Sequence, residues 1–188
     1  MSIGLIITLV VAVLIAFWAI GSYNSLVQLR NNRENAFSNI DVQLTQRADL
    51  IPQLVATVKG YANHEKETFQ QVTAARSAAV NASTIEEKIK ADQMLSSALA
   101  GLRVTVEAYP ELKADKNFLQ LQGEISDIEN KLAAVRRFFN SATREFNNAV
   151  ETFPGVLIAK IFGFHREPMY EVSEADRATI TKAPEIKF

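Results

Sequence analysis

Apolar residues repeat at helical spacing along most of the chain, and this pattern predicts an all-α protein. The clearest run places eleven apolar residues alternately three and four positions apart between Phe118 and Phe153. A mean spacing of about 3.5 residues predicts a long helix packed nearly in line with its neighbours. A second run occupies positions 37, 40, 44, 47, 51, 54 and 58, where Arg47 stands in one apolar place. Arg47 either extends its charged end to solvent or pairs with an acid inside the packed helices.

Turn and capping residues divide the pattern after residue 23 into four predicted helices, at about 24–58, 61–81, 84–108 and 117–153. Thr84 and Glu87 have the spacing of a capping box, and Asp115 or Asn117 can cap the last helix. If the four helices are separate, they form an antiparallel four-helix bundle over residues 24–155. If the first two are continuous, the alternative is a long helical hairpin, kinked at Pro52.

The N-terminal region predicts a transmembrane anchor over residues 1–23. Thr8 is the only polar side chain between Ile3 and Ile20, and residues 1–29 carry no charged side chain. With two further residues, this helix rises about 30 Å, the thickness of the hydrocarbon core. A cleaved signal peptide is disfavoured because no basic segment precedes the apolar run. The predicted lipid-facing residues are Ile3, Leu5, Ile6, Ile7, Leu9, Val10, Val11, Val13, Leu14, Ile15, Phe17, Trp18 and Ile20.

The charges that flank the anchor predict its orientation. Arg30 and Arg33 follow it, whereas only the α-amino group precedes it. Because positive residues favour the cytoplasmic side, the short N-terminus is expected outside and the helical body in the cytoplasm. The anchor is expected to continue into the first body helix, since no turn residues follow Tyr23.

The C-terminal region divides into an apolar membrane-proximal segment, 156–165, and a polar extended tail, 166–188. The apolar segment is too short to cross a bilayer and carries Lys160 as its only charge before His165. It either packs under the bundle or contacts the membrane interface or a second protomer. The candidate contact residues are Val156, Leu157, Ile158, Ile161, Phe162 and Phe164. The tail, with mixed charges and two prolines, is expected to be solvated.

Composition and motifs give no indication of catalysis. The 188 residues carry a net charge of −1 and no cysteine, which argues against nucleic-acid binding and rules out thiolate chemistry. His64-Glu65 begins like a zinc-protease motif, but Thr68 occupies the place of the second histidine. We therefore expect no catalytic, cofactor-binding or metal-binding residues and no small-molecule substrate.

Three blocks resemble signatures of the LemA family: residues 40–77, 107–125 and 129–140. The anchor followed by Tyr23-Asn24-x-Leu26-Val27 resembles the family's N-terminal pattern, whereas Phe138-Phe139-Asn140 departs from the Tyr-Asn usual there. The resemblance implies a bacterial single-pass membrane protein with an outward N-terminus and a cytoplasmic four-helix bundle. It implies no assigned catalytic residue.

Two functions are consistent with this sequence. The first is a non-catalytic scaffold at the bacterial inner membrane, whose partners are the lipid bilayer and either other membrane proteins or further copies of the chain. The second is a protein of membrane shaping or membrane biogenesis that inserts its C-terminal apolar segment shallowly into the bilayer.

Overall fold

The computed structural model describes residues 3–170, and the regular structure within that range is entirely helical. The all-α prediction is therefore confirmed. The helices are α1 (Ile3–Lys59), α2 (Lys66–Asn81), α3 (Ile85–Glu107), α4 (Pro110–Lys113), α5 (Lys116–Glu151) and α6 (Gly155–Phe162). The short α4 was not predicted from the sequence. Most of the predicted tail, residues 171–188, lies outside the described range.

Helix α1 joins the predicted anchor and the first predicted body helix in one element of 57 residues. Its length is about 86 Å at the usual helical rise. The expected continuity past Tyr23 is confirmed. A break follows at Lys59, so the predicted helices at 24–58 and 61–81 are separate. This break removes the continuity on which the hairpin alternative depended.

Pro52 lies inside α1, and a side chain from α2 replaces the hydrogen bond that proline cannot make. Proline lacks the N–H that would reach the carbonyl oxygen of Ala48, four residues earlier. Ala48 is buried, and Arg76 Nε donates to its carbonyl oxygen at 3.0 Å. A buried carbonyl without a partner is costly, so Arg76 compensates for the proline.

The chain divides into two compact units, each with its own core. We name them the anchor unit, residues 3–38 with 136–169, and the body unit, residues 39–135 with Tyr170. In the body unit, each of the helices α1 to α5 buries side chains in one hydrophobic cluster. Its largest fully buried members include Ile51, Val58, Val72, Leu95 and Leu112. Helices of this kind are held by burying their apolar faces against one another.

The anchor unit contains residues 3–38 of α1, residues 136–151 of α5 and all of α6. Leu26, Phe146, Val150, Ile158, Ala159 and Phe164 form its hydrophobic cluster. The rings of Phe37 and Phe139 pack edge to face in the same unit, with centroids 5.5 Å apart. The predicted α5 pattern ends early, because Val150 is buried whereas Phe153 is 79% exposed beyond the end of the helix.

The predicted caps of α3 and α5 are present. Thr84 and Glu87 form the reciprocal capping box. Asp115, rather than Asn117, caps α5 by accepting a hydrogen bond from the Phe118 N–H at 2.8 Å. This bond, together with one from the Tyr61 hydroxyl, holds the pKa of Asp115 below its usual value. The same Tyr61–Asp115 hydrogen bond raises the pKa of Tyr61.

Candidate membrane-interface site

Helix α6 has one buried side and one exposed apolar side. Ile158 and Ala159 are buried in the anchor-unit cluster. Leu157, Ile161 and Phe162 are 48%, 73% and 57% exposed, and we call these three residues the α6 apolar face. An amphipathic helix normally turns polar residues outward, so an outward apolar face indicates contact with a lipid or protein surface.

The α6 apolar face meets α1 at the end of the apolar N-terminal stretch. The ring centroid of Phe162 lies 4.7 Å from that of Tyr23, and the Phe164 ring packs at 5.8 Å on the same tyrosine. Ala19, one turn earlier in α1, also packs against the anchor-unit cluster. Tyr23 is the residue at which the sequence placed the edge of the membrane. The two exposed apolar surfaces are therefore contiguous.

Two glycines set the limits of α6. A Cβ atom at Gly155 would lie 2.3 Å from the carbonyl oxygen of Ala149, so no larger residue fits this close approach without a backbone shift. Gly163 ends the helix with φ of +73°, in the left-handed region that glycine adopts most readily. The turn at Gly163 directs Phe164 back into the core, where it is 9% exposed.

The segment that follows α6 is held against the anchor unit by backbone and side-chain bonds. Asn147 Nδ2 donates to the Glu167 carbonyl oxygen at 2.9 Å, and the Glu167 N–H donates to Asn147 Oδ1 at 2.8 Å. Arg33 pairs with the Glu167 carboxylate at 3.3 Å and donates to the Pro168 carbonyl oxygen. Its guanidinium carbon also lies 5.0 Å from the centre of the Phe139 ring. These contacts hold residues 167 and 168 against α1 and α5.

A buried charge network joins three helices and Tyr170 in the body unit. Arg47 is 2% exposed, and its Nη1 donates to Asp92 Oδ1 at 3.0 Å and to the Ser96 hydroxyl at 2.9 Å. Its Nη2 donates to Glu129 Oε1 at 2.8 Å. The Tyr170 hydroxyl donates to the other oxygen of Asp92. Of the two interpretations of Arg47, pairing with acids inside the packed helices is the one observed.

The structure changes the predictions for the C-terminal region. Ile158 and Phe164 were candidate contact residues, but both are buried in the anchor-unit core and Val156 is half-buried. Tyr170, within the tail expected to be solvated, is 4% exposed because its hydroxyl binds a buried carboxylate. The sequence contains no local signal for this contact, since its partner lies 78 residues earlier.

The predicted lipid-facing residues are all exposed along α1, and the most apolar 18-residue stretch of the helix buries none of its residues. Within residues 3–170, α1 is the one helix long and apolar enough to cross a membrane. In the same range, no group of three or more histidine, aspartate or glutamate side chains is arranged to hold a metal ion. His64 is therefore not part of such a group in that range.

The body unit also has an apolar groove, with a volume of about 270 Å³, lined by α1, α3 and α5. Several charged groups at the groove already have partners. Lys113 pairs with Glu107, and Glu129 pairs with Arg47. The remaining walls are mainly aliphatic and aromatic, from residues such as Leu54, Leu102, Val106, Phe118 and Ile125. The groove is therefore a mainly apolar surface of the body unit.

An apolar helix of membrane-spanning length that continues into packed amphipathic helices defines a membrane-associated helical protein. The model of the LemA family matches residues 36–188, and the chain belongs to the LemA family. It is 28% identical to Protein LemA of Metamycoplasma hominis over 165 residues, which cover 87% of this chain and 75% of that protein. It is 26% identical to Magnetosome protein MamQ of Magnetospirillum gryphiswaldense over 186 residues, covering 85% of this chain and 68% of that protein.

Proposed function

We propose that this protein is a non-catalytic scaffold anchored in the bacterial inner membrane, with residues 3–23 across the bilayer and the helical body in the cytoplasm. The observation that carries the proposal is the single helix α1, which runs without interruption from the exposed apolar stretch into the body-unit core. One helix thus supplies both the proposed anchor and side chains of the body-unit core.

The buried network around Arg47 supports a body of one defined arrangement. A buried ionic contact is satisfied only when its donors and acceptors meet, so it can select one packing among several apolar alternatives. Here α1, α3 and α5 each supply a partner. A scaffold requires such a fixed surface if it is to present the same contacts to a protein partner or to a second copy.

Crosslinking in native membranes tests the scaffold. The chain has no cysteine, so single substitutions such as Val104→Cys can direct a crosslinker with a maleimide at one end and a photoreactive diazirine at the other to one exposed site on α3. Several such sites on the body unit should yield specific crosslinked products, either with another protein or with a second copy. Ile7→Cys, exposed in the apolar stretch, is the control for contacts made within the bilayer. If every cysteine variant of the body unit is recovered as an uncrosslinked monomer, the scaffold hypothesis is rejected.

Membrane shaping is the second candidate, and the α6 apolar face is the observation that favours it. A helix inserted at shallow depth expands one leaflet and can bend a membrane. Reconstitution of the full chain at increasing density should then change vesicle diameter, and Ile161→Asp should abolish the change. A scaffold acting through protein contacts predicts unchanged vesicles and crosslinks that survive this substitution.

A further inference from the structure

We infer that the α6 apolar face is a second membrane-contact surface, occupied by lipid at the boundary between headgroups and acyl chains beside Tyr23. This inference rests on the anchor in the proposed function and is independent of the scaffold. It assigns to α6 a role in holding the end of α1 at a defined depth in the membrane.

The first argument is depth. The Phe162 ring packs at a tilt of 56° against the Tyr23 ring, and Ala19 packs against the hydrophobic cluster that holds α6. The last turn of the anchor and α6 therefore lie at the same level along the α1 axis. Tyrosine at the end of a membrane-spanning helix lies at the interface, where its ring is apolar and its hydroxyl reaches water. Phe162, in contact with that ring, then reaches the same boundary.

The second argument is that the protein itself does not cover the α6 apolar face. The anchor-unit cluster buries Ile158, Ala159 and Phe164, which lie on the other side of α6 or directly after it. Ile161 is 73% exposed, and its neighbour Phe162 is 57% exposed despite its contact with Tyr23. An interfacial helix has this division: one side packs on its own protein, and the other enters the bilayer by about 5–10 Å.

The third argument is the charge around the face, which favours lipid over a second copy of the chain. Lys160 is exposed on α6. Arg166, just beyond it, pairs with Glu151 at 3.2 Å, and Arg30, whose guanidinium lies 5.5 Å from the centre of the Phe164 ring, pairs with Glu34 at 4.0 Å. Basic side chains near the interface can reach lipid phosphates. A two-fold contact between copies through α6 would instead bring the two copies of Lys160 close together.

The test uses the full chain in liposomes. Ile161→Cys carries an environment-sensitive fluorophore, and nitroxide lipids placed near the headgroups quench it on contact. Leu9→Cys is the control for the bilayer, and Arg137→Cys, exposed on α5, is the control for water. Trp18 is the single tryptophan and reports on the anchor in every sample. We expect the probe at position 161 to be quenched several-fold more than the probe at 137.

Each other result overturns the inference in a distinguishable way. If position 161 behaves like 137 while Trp18 is quenched, α6 is outside the lipid and the anchor stands. If Trp18 is not quenched either, residues 3–23 are not in the bilayer, and both the proposed anchor and the inference about α6 are wrong. If unlabelled Ile161→Cys forms disulfide-linked dimers and its labelled form resists lipid quenching, a second copy covers the face instead.

Discussion

Removal of the Arg47 charge should destabilise the protein more than removal of any exposed arginine. The Arg47 guanidinium makes three hydrogen bonds, two of them to carboxylates, and Asp92 is itself 3% exposed. Arg47→Met keeps much of the aliphatic volume but leaves the Asp92 carboxylate in the core without its cation. Breaking a buried pair in this way costs about 3–5 kcal/mol. For a chain of this size, that loss lowers Tm by about 6–20 °C.

Thermal unfolding of the full chain in detergent micelles, followed by circular dichroism, measures the change. Asp92→Asn in the Arg47→Met protein removes the unpaired charge and keeps an oxygen that can accept from the Tyr170 hydroxyl. The double variant should therefore be more stable than Arg47→Met alone. Arg137→Met, at an exposed position, should stay within about 0.5 kcal/mol of the parent. An Arg47→Met protein as stable as that control, or a double variant no more stable than Arg47→Met, would show that the buried charge pair does not stabilise the fold.

Three further contacts give separate predictions. Asn147→Ala removes two hydrogen bonds, each worth about 1 kcal/mol, and should speed hydrogen exchange at the Glu167 amide. Because folding lowers the pKa of Asp115, its carboxylate stabilises the fold above pH about 4, and this contribution disappears as pH falls through the lowered value. In Asp115→Asn, Tm should therefore fall less steeply as the pH is lowered below about 4. Arg76→Met should cost about 1–3 kcal/mol, and much less when Pro52→Ala restores the helix N–H.

Each of these predictions has a contradicting result. Asn148→Ala changes the exposed neighbour of Asn147, and equal exchange at the Glu167 amide in both variants would remove the proposed clamp. If Tm falls as steeply at acid pH in Asp115→Asn as in the parent, the cap does not depend on the charge of Asp115. If Arg76→Met costs as much with alanine at position 52 as with proline, Arg76 does not compensate for the missing donor.

The helices could be predicted from the sequence because their signals are local. Apolar spacing identified the buried positions of α1 and α5, and the residue pairs of the capping motifs lie within three positions of each other. The absence of turn residues after Tyr23 correctly predicted that α1 continues into the body. Arg47 stood out because a charged residue occupied an apolar position, although its partners on α3 and α5 could not be named.

The contacts that position α6 could not be predicted in this way. The Asn147 side chain binds the backbone N–H and carbonyl of Glu167. Because every residue other than proline has these two backbone groups, the sequence does not identify Glu167 as the partner. Arg33 was used only as a flanking charge, yet it is buried beneath Glu167 and Phe139. The sequence of α6 itself is almost uniformly apolar, and such a segment has too little polar contrast to show which side faces the core.

We propose that residues 3–23 cross the inner membrane and that the helical body lies in the cytoplasm. Labelling of single cysteines with a membrane-impermeant maleimide tests it most directly, since the parent chain has no cysteine to interfere. Ser2→Cys should be labelled in intact spheroplasts, and Arg137→Cys should be labelled only after the membrane is broken. Labelling of position 137 in intact spheroplasts, or protection of position 2 there, would contradict the account.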